Sequence, residues 1–233
     1  MQTKVRPHPK FPSIYQVKFQ SGSQRLATRN LTPGRSVYNE KLAKYKGTEY
    51  RIWDPFRSKL AAAILKNLTT VPIKPTHQIL YLGAASGTTA SHISDIVGRQ
   101  GHVYCIEFAH RAMRELINNV CAFRSNMSPI LEDARLPRKY AMSIGRKVDE
   151  VYCDIAQPEQ ARILADNADL FLKKPGWIML AVKAQSIDVT KRPSQIYKRE
   201  VKTLKDRGFT AKEIVPLEPY DKAHAMVLAS WRE

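Results

Sequence analysis

Short apolar runs recur along most of the chain, and each is followed by 15 to 25 residues that are able to hold a helix. The five runs that show this spacing are residues 78–82, 102–107, 128–131, 148–153 and 177–182. Such a pattern predicts βαβ units with right-handed crossovers and a parallel sheet. Two later runs, residues 210–215 and 223–231, are joined by a segment too short for a helix, so we expect them to pair antiparallel.

The first 55 residues follow a different pattern. Residues 13–19 alternate between apolar and polar, and the Ser-Gly-Ser sequence at 21–23 predicts a turn into a second strand at 24–28. After Trp53 the apolar spacing becomes helical, and we expect Asp54 to cap that helix. The chain is therefore predicted to contain a small N-terminal β domain, residues 1–55, and a second domain, residues 56–233.

The charge and the cysteines narrow the class of protein. Lys and Arg number 38 against 21 Asp and Glu, a formal net charge of +17. This excess favours a protein that binds a polyanion, with nucleic acid as the leading candidate. The alternative is a basic protein that has no specific ligand. The three cysteines form neither a C-x-x-C pair nor a zinc-type cluster, which predicts no metal site and a reducing intracellular compartment. No signal peptide or membrane-spanning run is recognisable, so we expect no membrane partner.

A segment of small residues follows the first run of the second domain. Small residues at the end of a strand let a ligand approach the backbone closely, and a helix beginning near Thr88 or Thr89 would point free amides at it. The spacing matches neither the dinucleotide fingerprint nor a P-loop, and a simple tight strand-to-helix connection is the alternative. The candidate ligand-binding residues here are Gly83, Ala84, Ala85, Gly87, Thr88 and Thr89.

Acidic residues stand where three further strands are predicted to end. Glu107 closes the second run, where a carboxylate would bind both ribose hydroxyls of a nucleoside, and Asp133 and Asp154 follow the third and fourth. In an open α/β sheet these ends line one crevice. A nucleoside with a positive centre suits three carboxylates better than a pyrophosphate does, and S-adenosylmethionine is such a ligand. Taken singly, each carboxylate has the alternative of a helix cap or a solvated turn.

Several segments of the chain resemble the fibrillarin family. The similarity runs over nearly the whole chain, and the residues around Gly83 and Asp154 are highly specific to that family. Eukaryotic fibrillarins carry a Gly/Arg-rich N-terminal tail that is not found here, so the sequence is similar to the archaeal form. The segments that carry the resemblance are NEK (39–41), EYRIWDPFRSKLAAAI (49–64), YLGAASGTT (81–89), VYCIEF (103–108) and DIAQP (154–158).

The resemblance implies a Rossmann-like S-adenosylmethionine-dependent methyltransferase fold, with a seven-stranded, mostly parallel sheet whose last strand is antiparallel, behind a small N-terminal β domain. It implies an RNA 2′-O-methyltransferase with Glu107 at the ribose and Asp133 near the adenine. The positions that match the family's cofactor contacts are Thr88, Thr89, Glu107, Phe108, Asp133, Ala134, Asp154 and Gln157. Those that match its catalytic set are Lys59, Asp154, Lys183 and His224.

Methyl transfer to a 2′-hydroxyl needs a base and precise alignment. Lysine is a poor base at its reference pKa of ~10.4, but a second ammonium nearby and partial desolvation lower the pKa of such a group. We therefore expect Lys183 to be the base and Lys59 the second cation. Asp154 would orient Lys183, although its charge opposes that shift, and His224 would position the nucleotide or Lys183.

The resemblance also implies a box C/D ribonucleoprotein. Its partners are a guide RNA with target rRNA or tRNA, a Nop-domain scaffold protein and a kink-turn-binding protein of ribosomal type. The expected location is cytoplasmic in an archaeal cell and nucleolar in a eukaryotic one. Two alternatives stay open: a guide-independent methyltransferase for another acceptor, and a non-catalytic subunit that binds S-adenosylmethionine or RNA. Tyr50, Trp53 and Phe56 are either an RNA-stacking platform or, for Trp53 and Phe56, packing between the two domains.

Overall fold

The computed structural model describes residues 4–231, so the ends of both predicted domains, residues 1–3 and 232–233, lie outside it. The N-terminal part is an antiparallel sheet of five strands in the order β1-β2-β3-β5-β4. The predicted hairpin is present as β2 and β3, and the other three strands are short ones that the alternation did not indicate. The strands are β1 (Lys4–Pro7), β2 (Ile14–Lys18), β3 (Gln24–Arg29), β4 (Leu42–Tyr45) and β5 (Thr48–Ile52).

The prediction that Asp54 caps the first helix is wrong. Helix α1 spans Lys59–Leu65, and its N-cap is Ser58. Asp54 closes a tight turn instead: its Oδ1 accepts the amide of Phe56 at 2.9 Å and its carbonyl accepts the amide of Arg57 at 3.2 Å. A short aspartate side chain readily satisfies amides of its own turn, so the helix begins one turn later. The predicted boundary between residues 55 and 56 falls in this connection, and the division into two domains stays a prediction.

The second part confirms the predicted α/β fold. Its seven strands lie in the order β11-β12-β10-β9-β6-β7-β8. β12 runs in the direction opposite to that of the other six strands. An apolar layer covers each face of the sheet. Parallel sheets are usually buried on both faces in this way. The strands are β6 (Gln78–Leu82), β7 (His102–Glu107), β8 (Met127–Leu131), β9 (Val148–Cys153), β10 (Leu172–Lys183), β11 (Phe209–Pro216) and β12 (His224–Trp231).

Helices connect the parallel strands. Gly87, with a φ of +92°, is the N-cap of the helix that follows β6, so this helix begins where the sequence predicted. None of the helices within residues 4–231 is long and apolar enough to cross a membrane. The helices are α2 (Thr88–Val97), α3 (His110–Asn119), α4 (Ala141–Ile144), α5 (Gln160–Phe171), α6 (Ala184–Ile187) and α7 (Pro193–Asp206).

A buried ionic cluster joins the small sheet to α2. The Arg51 guanidinium lies 2.5 Å from Glu40 Oε1 and 2.9 Å from Asp95 Oδ2. Arg124 binds the other oxygen of Asp95 at 2.6 Å. Burying charges is costly unless they are paired and hydrogen-bonded, and all four of these side chains are paired. Because Asp95 belongs to α2, the cluster attaches the N-terminal sheet to the helix that begins after Gly87.

The structure distinguishes the three aromatic residues for which the sequence left two interpretations open. Tyr50 is 9% exposed and Trp53 1%, so neither presents a face on which RNA bases stack. Trp53 packs between the two sheets, with its ring stacked on His92 at a centroid distance of 4.8 Å. Phe56 is 67% exposed and therefore does not pack the two parts together. Phe56 precedes α1 and therefore lies outside the helix that packs on the core.

Candidate active site

A cavity opens at the carboxyl ends of β6 to β10, where the sequence placed the ligand. Eight of the twelve predicted cofactor residues line it: Gly83, Ala85, Glu107, Phe108, Asp133, Ala134, Asp154 and Gln157. The proposed base Lys183 lines it too. Residues that the sequence reasoning did not single out complete the wall: Ile106, Glu132, Arg135, Ile155 and Ala156.

Gly83 is required at the floor of this cavity. Its φ is +79°, and a Cβ added there would lie 2.9 Å from the carbonyl oxygen of Asp154. Glycine adopts this backbone conformation without the penalty that other residues meet. The amides of Gly83 and Ala84 both donate to the carbonyl of Ile106, at 2.9 and 3.1 Å. The loop is thereby bound to β7 on one side and presses against the end of β9 on the other.

Glu107 is a buried carboxylate held ready at the end of β7. Its Oε2 accepts the amide of Ala85 at 2.9 Å, and its Oε1 accepts the amide of Ala109 at 2.8 Å. Two backbone donors orient the group and leave lone pairs that face the cavity. The ring of Phe108 stands beside it and is 62% exposed. A carboxylate next to an aromatic face suits the ribose and base of a nucleoside.

Asp133 carries an unpredicted partner. Arg135 binds both of its oxygens, with Nε 2.9 Å and Nη2 2.6 Å from Oδ2 and Nε 3.1 Å from Oδ1. The hydrogen bond from this guanidinium lowers the pKa of Asp133 below its ordinary value. Ala134 is fixed as well, because Asn167 Nδ2 donates to its carbonyl at 2.8 Å.

The remaining four predicted cofactor residues do not line the cavity. Ala84 is buried, and Gly87 and Thr88 form the start of α2. The side chain of Thr89 points away: its hydroxyl donates to Ser58 Oγ at 3.0 Å, and both residues are buried. Ser58 directly precedes Lys59, so this bond links the helix after the Gly-rich loop to the helix that carries a predicted catalytic lysine.

The four predicted catalytic residues come together at one edge of the cavity. Asp154 Oδ1 lies 2.9 Å from Lys183 Nζ and 3.2 Å from Lys59 Nζ. Lys183 Nζ also donates to the carbonyl oxygen of Asp154 at 2.8 Å. His224 stands directly opposite Lys183 in the antiparallel pairing of β12 with β10. Residues that are far apart in the chain, from Lys59 to His224, are thus brought to one place.

Asp221 is part of this group, although the sequence reasoning missed it. Its Oδ2 lies 3.6 Å from Lys59 Nζ and its Oδ1 lies 2.8 Å from His224 Nδ1. The carbonyl of Lys222 lies 2.7 Å from the same Nδ1. Two acceptors at Nδ1 place a ring hydrogen there, and neither of them contacts Nε2. Asp221 follows a Pro-rich connection without a recognisable motif, and only its position three residues before His224 hinted at the contact.

Gln160 is a second residue that the sequence did not reveal. It is fully buried at the start of α5. Its Oε1 accepts the amide of Lys183 at 3.0 Å, and its Nε2 donates to the carbonyl of Lys183 at 3.4 Å. A buried amide side chain that satisfies both backbone groups of one residue fixes the point from which the Lys183 side chain extends. Within residues 4–231 no group of three or more His, Cys, Asp or Glu side chains is placed to hold a metal ion.

Comparison with known proteins agrees with this geometry. The family model described as Fibrillarin matches residues 5–233. A protein of Pyrobaculum calidifontis named fibrillarin-like rRNA/tRNA 2′-O-methyltransferase is 58% identical over 227 residues, 97% of each chain. The crystal structure of Aeropyrum pernix fibrillarin with natively bound S-adenosyl-L-methionine has a TM-score of 0.92 and 50% identity, covering 98% of this chain and 99% of that one. A fibrillarin from a complex with Nop5p has a TM-score of 0.80 and 39% identity, covering 90% and 94%. On its sequence and its fold alike, this chain belongs to the fibrillarin family.

Proposed function

We propose that this protein is an S-adenosylmethionine-dependent RNA 2′-O-methyltransferase that acts on rRNA and tRNA as the catalytic subunit of a box C/D ribonucleoprotein. One observation carries the proposal: two lysines share the carboxylate of Asp154 at the edge of a cavity that is lined by Gly83, Glu107 and Phe108. The names of the relatives, rRNA/tRNA 2′-O-methyltransferase and fibrillarin with bound S-adenosyl-L-methionine, support the same reaction and cofactor.

The residues of the cavity fit S-adenosylmethionine. Gly83 lets the floor of the cavity pack against Asp154, where any side chain would collide. Glu107 would bind the ribose hydroxyls, Phe108 would pack on the adenine, and Asp133 with Ala134 would lie at the adenine edge. Gln157 and Asp154 would close the methionine end. The cofactor, when bound, supplies an electrophilic methyl group on a sulfonium.

Lys183 is the proposed base. The acceptor hydroxyl must lose its proton, and Nζ of Lys183, held against the carboxylate and carbonyl of Asp154, projects from the end of β10 into the cavity. Lys59 would stabilise the charge that develops on the 2′-oxygen, as an ammonium fixed in advance near that atom does. Lys183 can take up the proton only as a neutral amine, and Asp154 would hold its Nζ and that of Lys59 in place.

His224 is proposed to position the nucleotide. Asp221 holds its Nδ1, so its Nε2 is left to form a hydrogen bond with the RNA. The alternative, that His224 orients Lys183 directly, finds less support because the charged side chain that contacts His224 is Asp221. Asp221 would then act as a positioning residue for Lys59 and His224 together.

The partners belong to the same proposal. A Nop-domain scaffold protein is supported by the relative that was crystallised with Nop5p. The guide RNA and a kink-turn-binding protein follow from the family resemblance, as does a cytoplasmic location in an archaeal cell. A net charge of +17 suits an enzyme whose substrate is a guide–target RNA duplex.

The test is transfer of a labelled methyl group to a guide-paired RNA in the particle assembled with scaffold and kink-turn proteins. Wild-type protein, Lys183→Ala and the matched control Lys44→Ala are compared; Lys44 is exposed on β4, away from the cavity. We expect label on one 2′-hydroxyl with wild type and Lys44→Ala, and a loss of about 10²–10⁴-fold with Lys183→Ala, as for removal of a general base.

Other outcomes distinguish the alternatives. Transfer to a protein or a small molecule that Lys183→Ala leaves intact would favour a guide-independent enzyme. Calorimetric binding of S-adenosylmethionine without any transfer in the full particle would favour a non-catalytic subunit. Equal losses with Lys183→Ala and Lys44→Ala would remove the base assignment.

A further inference from the structure

An exposed aromatic pair stands beside the proposed catalytic residues. Phe56 lies in the turn between β5 and α1 and is 67% exposed. Its ring meets the edge of Tyr220, which is partly buried, at a centroid distance of 5.2 Å and an angle of 72°. We call Phe56 and Tyr220 the aromatic ledge. It combines two segments far apart in the chain, and neither ring lines the cavity described above.

The backbone that carries each ring is fixed by hydrogen bonds. The amide of Phe56 donates to Asp54 Oδ1 at 2.9 Å, and the amide of Tyr220 donates to the carbonyl of Leu217 at 2.9 Å. Leu217 is fully buried, so the loop that carries Tyr220 is anchored in the core. The fixed backbone and the contact between the two rings limit the freedom that either ring can lose when a ligand packs on it.

The ledge is continuous with the catalytic group. Lys59 follows Phe56 by three residues, and Asp221 follows Tyr220 directly. The side chains of Lys59 and Asp221 approach to 3.6 Å. A nucleotide that presents its 2′-oxygen to Lys59 and Lys183 therefore brings its own base, or that of its neighbour, close to the ledge.

The surroundings of the ledge select the kind of ligand. Arg57 and Lys222, which flank the two rings in the chain, are exposed cations. Aromatic faces next to cations are how proteins hold unpaired or splayed RNA bases, because every base has a π-face and every nucleotide a phosphate. A purely apolar protein partner would leave these charges without counterparts.

We propose that the aromatic ledge of Phe56 and Tyr220 binds a base of the target RNA strand next to the ribose that is methylated. The inference rests on the proposed function, since it takes RNA as the acceptor. It assigns the ledge a role in holding the substrate strand in register with the catalytic lysines, separate from cofactor binding.

The first experiment detects contact independently of catalysis. Target RNAs with 5-iodouridine at the modified position or at either neighbour are irradiated in the assembled particle, and the cross-linked peptides are sequenced by mass spectrometry. We expect a cross-link to Phe56 or Tyr220 from one of these positions. A cross-link without methyl transfer would contradict the proposed function but would still support binding of RNA by the aromatic ledge.

The second experiment measures the contribution of the ring. Phe56→Ala should raise the KM for guide-paired RNA by about 5- to 150-fold, the range expected for loss of one base–aromatic stack. The dissociation constant for S-adenosylmethionine should not change, and Phe56→Tyr should keep the wild-type KM. The control is Met142→Ala, which removes an apolar side chain that is 94% exposed on α4 and lines no part of the cavity.

Three results would contradict the proposal that the aromatic ledge binds the target RNA. One is normal transfer by wild type with no cross-link and an unchanged KM in Phe56→Ala. Another is an equal rise of KM in Phe56→Ala and Met142→Ala. The third is loss of binding to the scaffold protein alone, without RNA, in Phe56→Ala, which would make the ledge a protein contact.

Discussion

The Nζ atoms of Lys59 and Lys183 lie 3.2 and 2.9 Å from the same oxygen, Asp154 Oδ1. The contacts continue from Lys59 to Asp221 and from Asp221 to His224, so cationic or neutral bases alternate with carboxylates along one chain of five side chains. Such an arrangement holds two amino groups closer together than their charges alone would allow. It brings side chains from the ends of β9 and β10 and the starts of α1 and β12 into one proposed active site.

Asp154 is the member on which both lysines depend. In Asp154→Asn the carboxylate that both Nζ atoms contact is lost, so Lys59 and Lys183 are expected to leave their positions. We expect methyl transfer to the guide-paired RNA to fall by about 10²–10⁴-fold, comparable to loss of the base itself. The control is Asp206→Asn on α7, where the carboxylate is 64% exposed and 4.0 Å from Lys202. Activity of Asp154→Asn within a fewfold of Asp206→Asn would contradict this.

Gln160→Leu should misplace Lys183 without touching the cofactor. The substitution leaves the amide of Lys183 without its buried acceptor, which costs about 1–3 kcal/mol in the free energy of unfolding. We expect a lower kcat, an unchanged dissociation constant for S-adenosylmethionine by calorimetry, and partial recovery with Gln160→Glu, which keeps the acceptor. If kcat is unchanged while stability falls as expected, Gln160 has only a structural role.

Gly83→Ala should abolish cofactor binding. Its Cβ would lie 2.9 Å from both the Asp154 carbonyl oxygen and Ile155 Cγ2, so the end of β9 has to shift. Gly47→Ala is the matched control, because Gly47 has a nearly equal φ of +76° but open space around the added atom. Calorimetry with S-adenosylmethionine should detect binding to Gly47→Ala and none to Gly83→Ala. Equal binding by the two variants would show that the loop tolerates the displacement.

A pH-dependent contact lies at the opposite end of the sheet. His77 Nδ1 is 2.7 Å from Glu150 Oε1. Burial raises the pKa of Glu150 from 4.5 to about 7, and the hydrogen bond to Glu150 raises the pKa of His77. Both folded-state pKa values exceed the unfolded ones, so the folded protein binds more protons and this stabilisation is lost as pH rises.

Wild type should therefore lose stability relative to Glu150→Gln as the pH rises from about 4.5 through 7. The substitution removes the carboxyl group and the partner that raises the pKa of His77, so the variant should lack this pH dependence. Thermal unfolding of both proteins at pH 5, 6, 7 and 8 measures the difference. Parallel pH profiles for the two proteins would contradict the assignment.

Asp95→Asn tests the connection between the small sheet and α2. It leaves the buried guanidinium groups of Arg51 and Arg124 without the charge that both contact, and breaking a buried pair costs about 3–5 kcal/mol. Asp169→Asn is the control, since the Asp169–Arg207 pair is partly exposed and such pairs contribute about 0–1 kcal/mol. Urea unfolding gives both values. A loss in Asp95→Asn no larger than in Asp169→Asn would mean that the cluster relaxes without cost.

The sequence alone determined the sheet and the position of its ligand cavity. Few topologies are compatible with apolar strands that are buried on both faces and separated by segments of helix length. In these topologies the side chains at the carboxyl ends of neighbouring parallel strands lie close together. That reasoning, with the family resemblance, placed Gly83, Glu107 and Asp154 where the cavity lies. The segment of small residues also predicted the start of α2, where the N-cap Gly87 has a φ of +92° that favours glycine.

Only the tertiary structure decided the contacts that no local pattern encodes. Asp54 satisfies its own turn and leaves the helix cap to Ser58, a choice between neighbouring hydrogen bonds that spacing does not resolve. Asp221 reaches Lys59 and Gln160 reaches Lys183 because strands and helices distant in the chain pack side by side. Exposure likewise follows from packing: Trp53 is buried and Phe56 is open, although the two lie three residues apart.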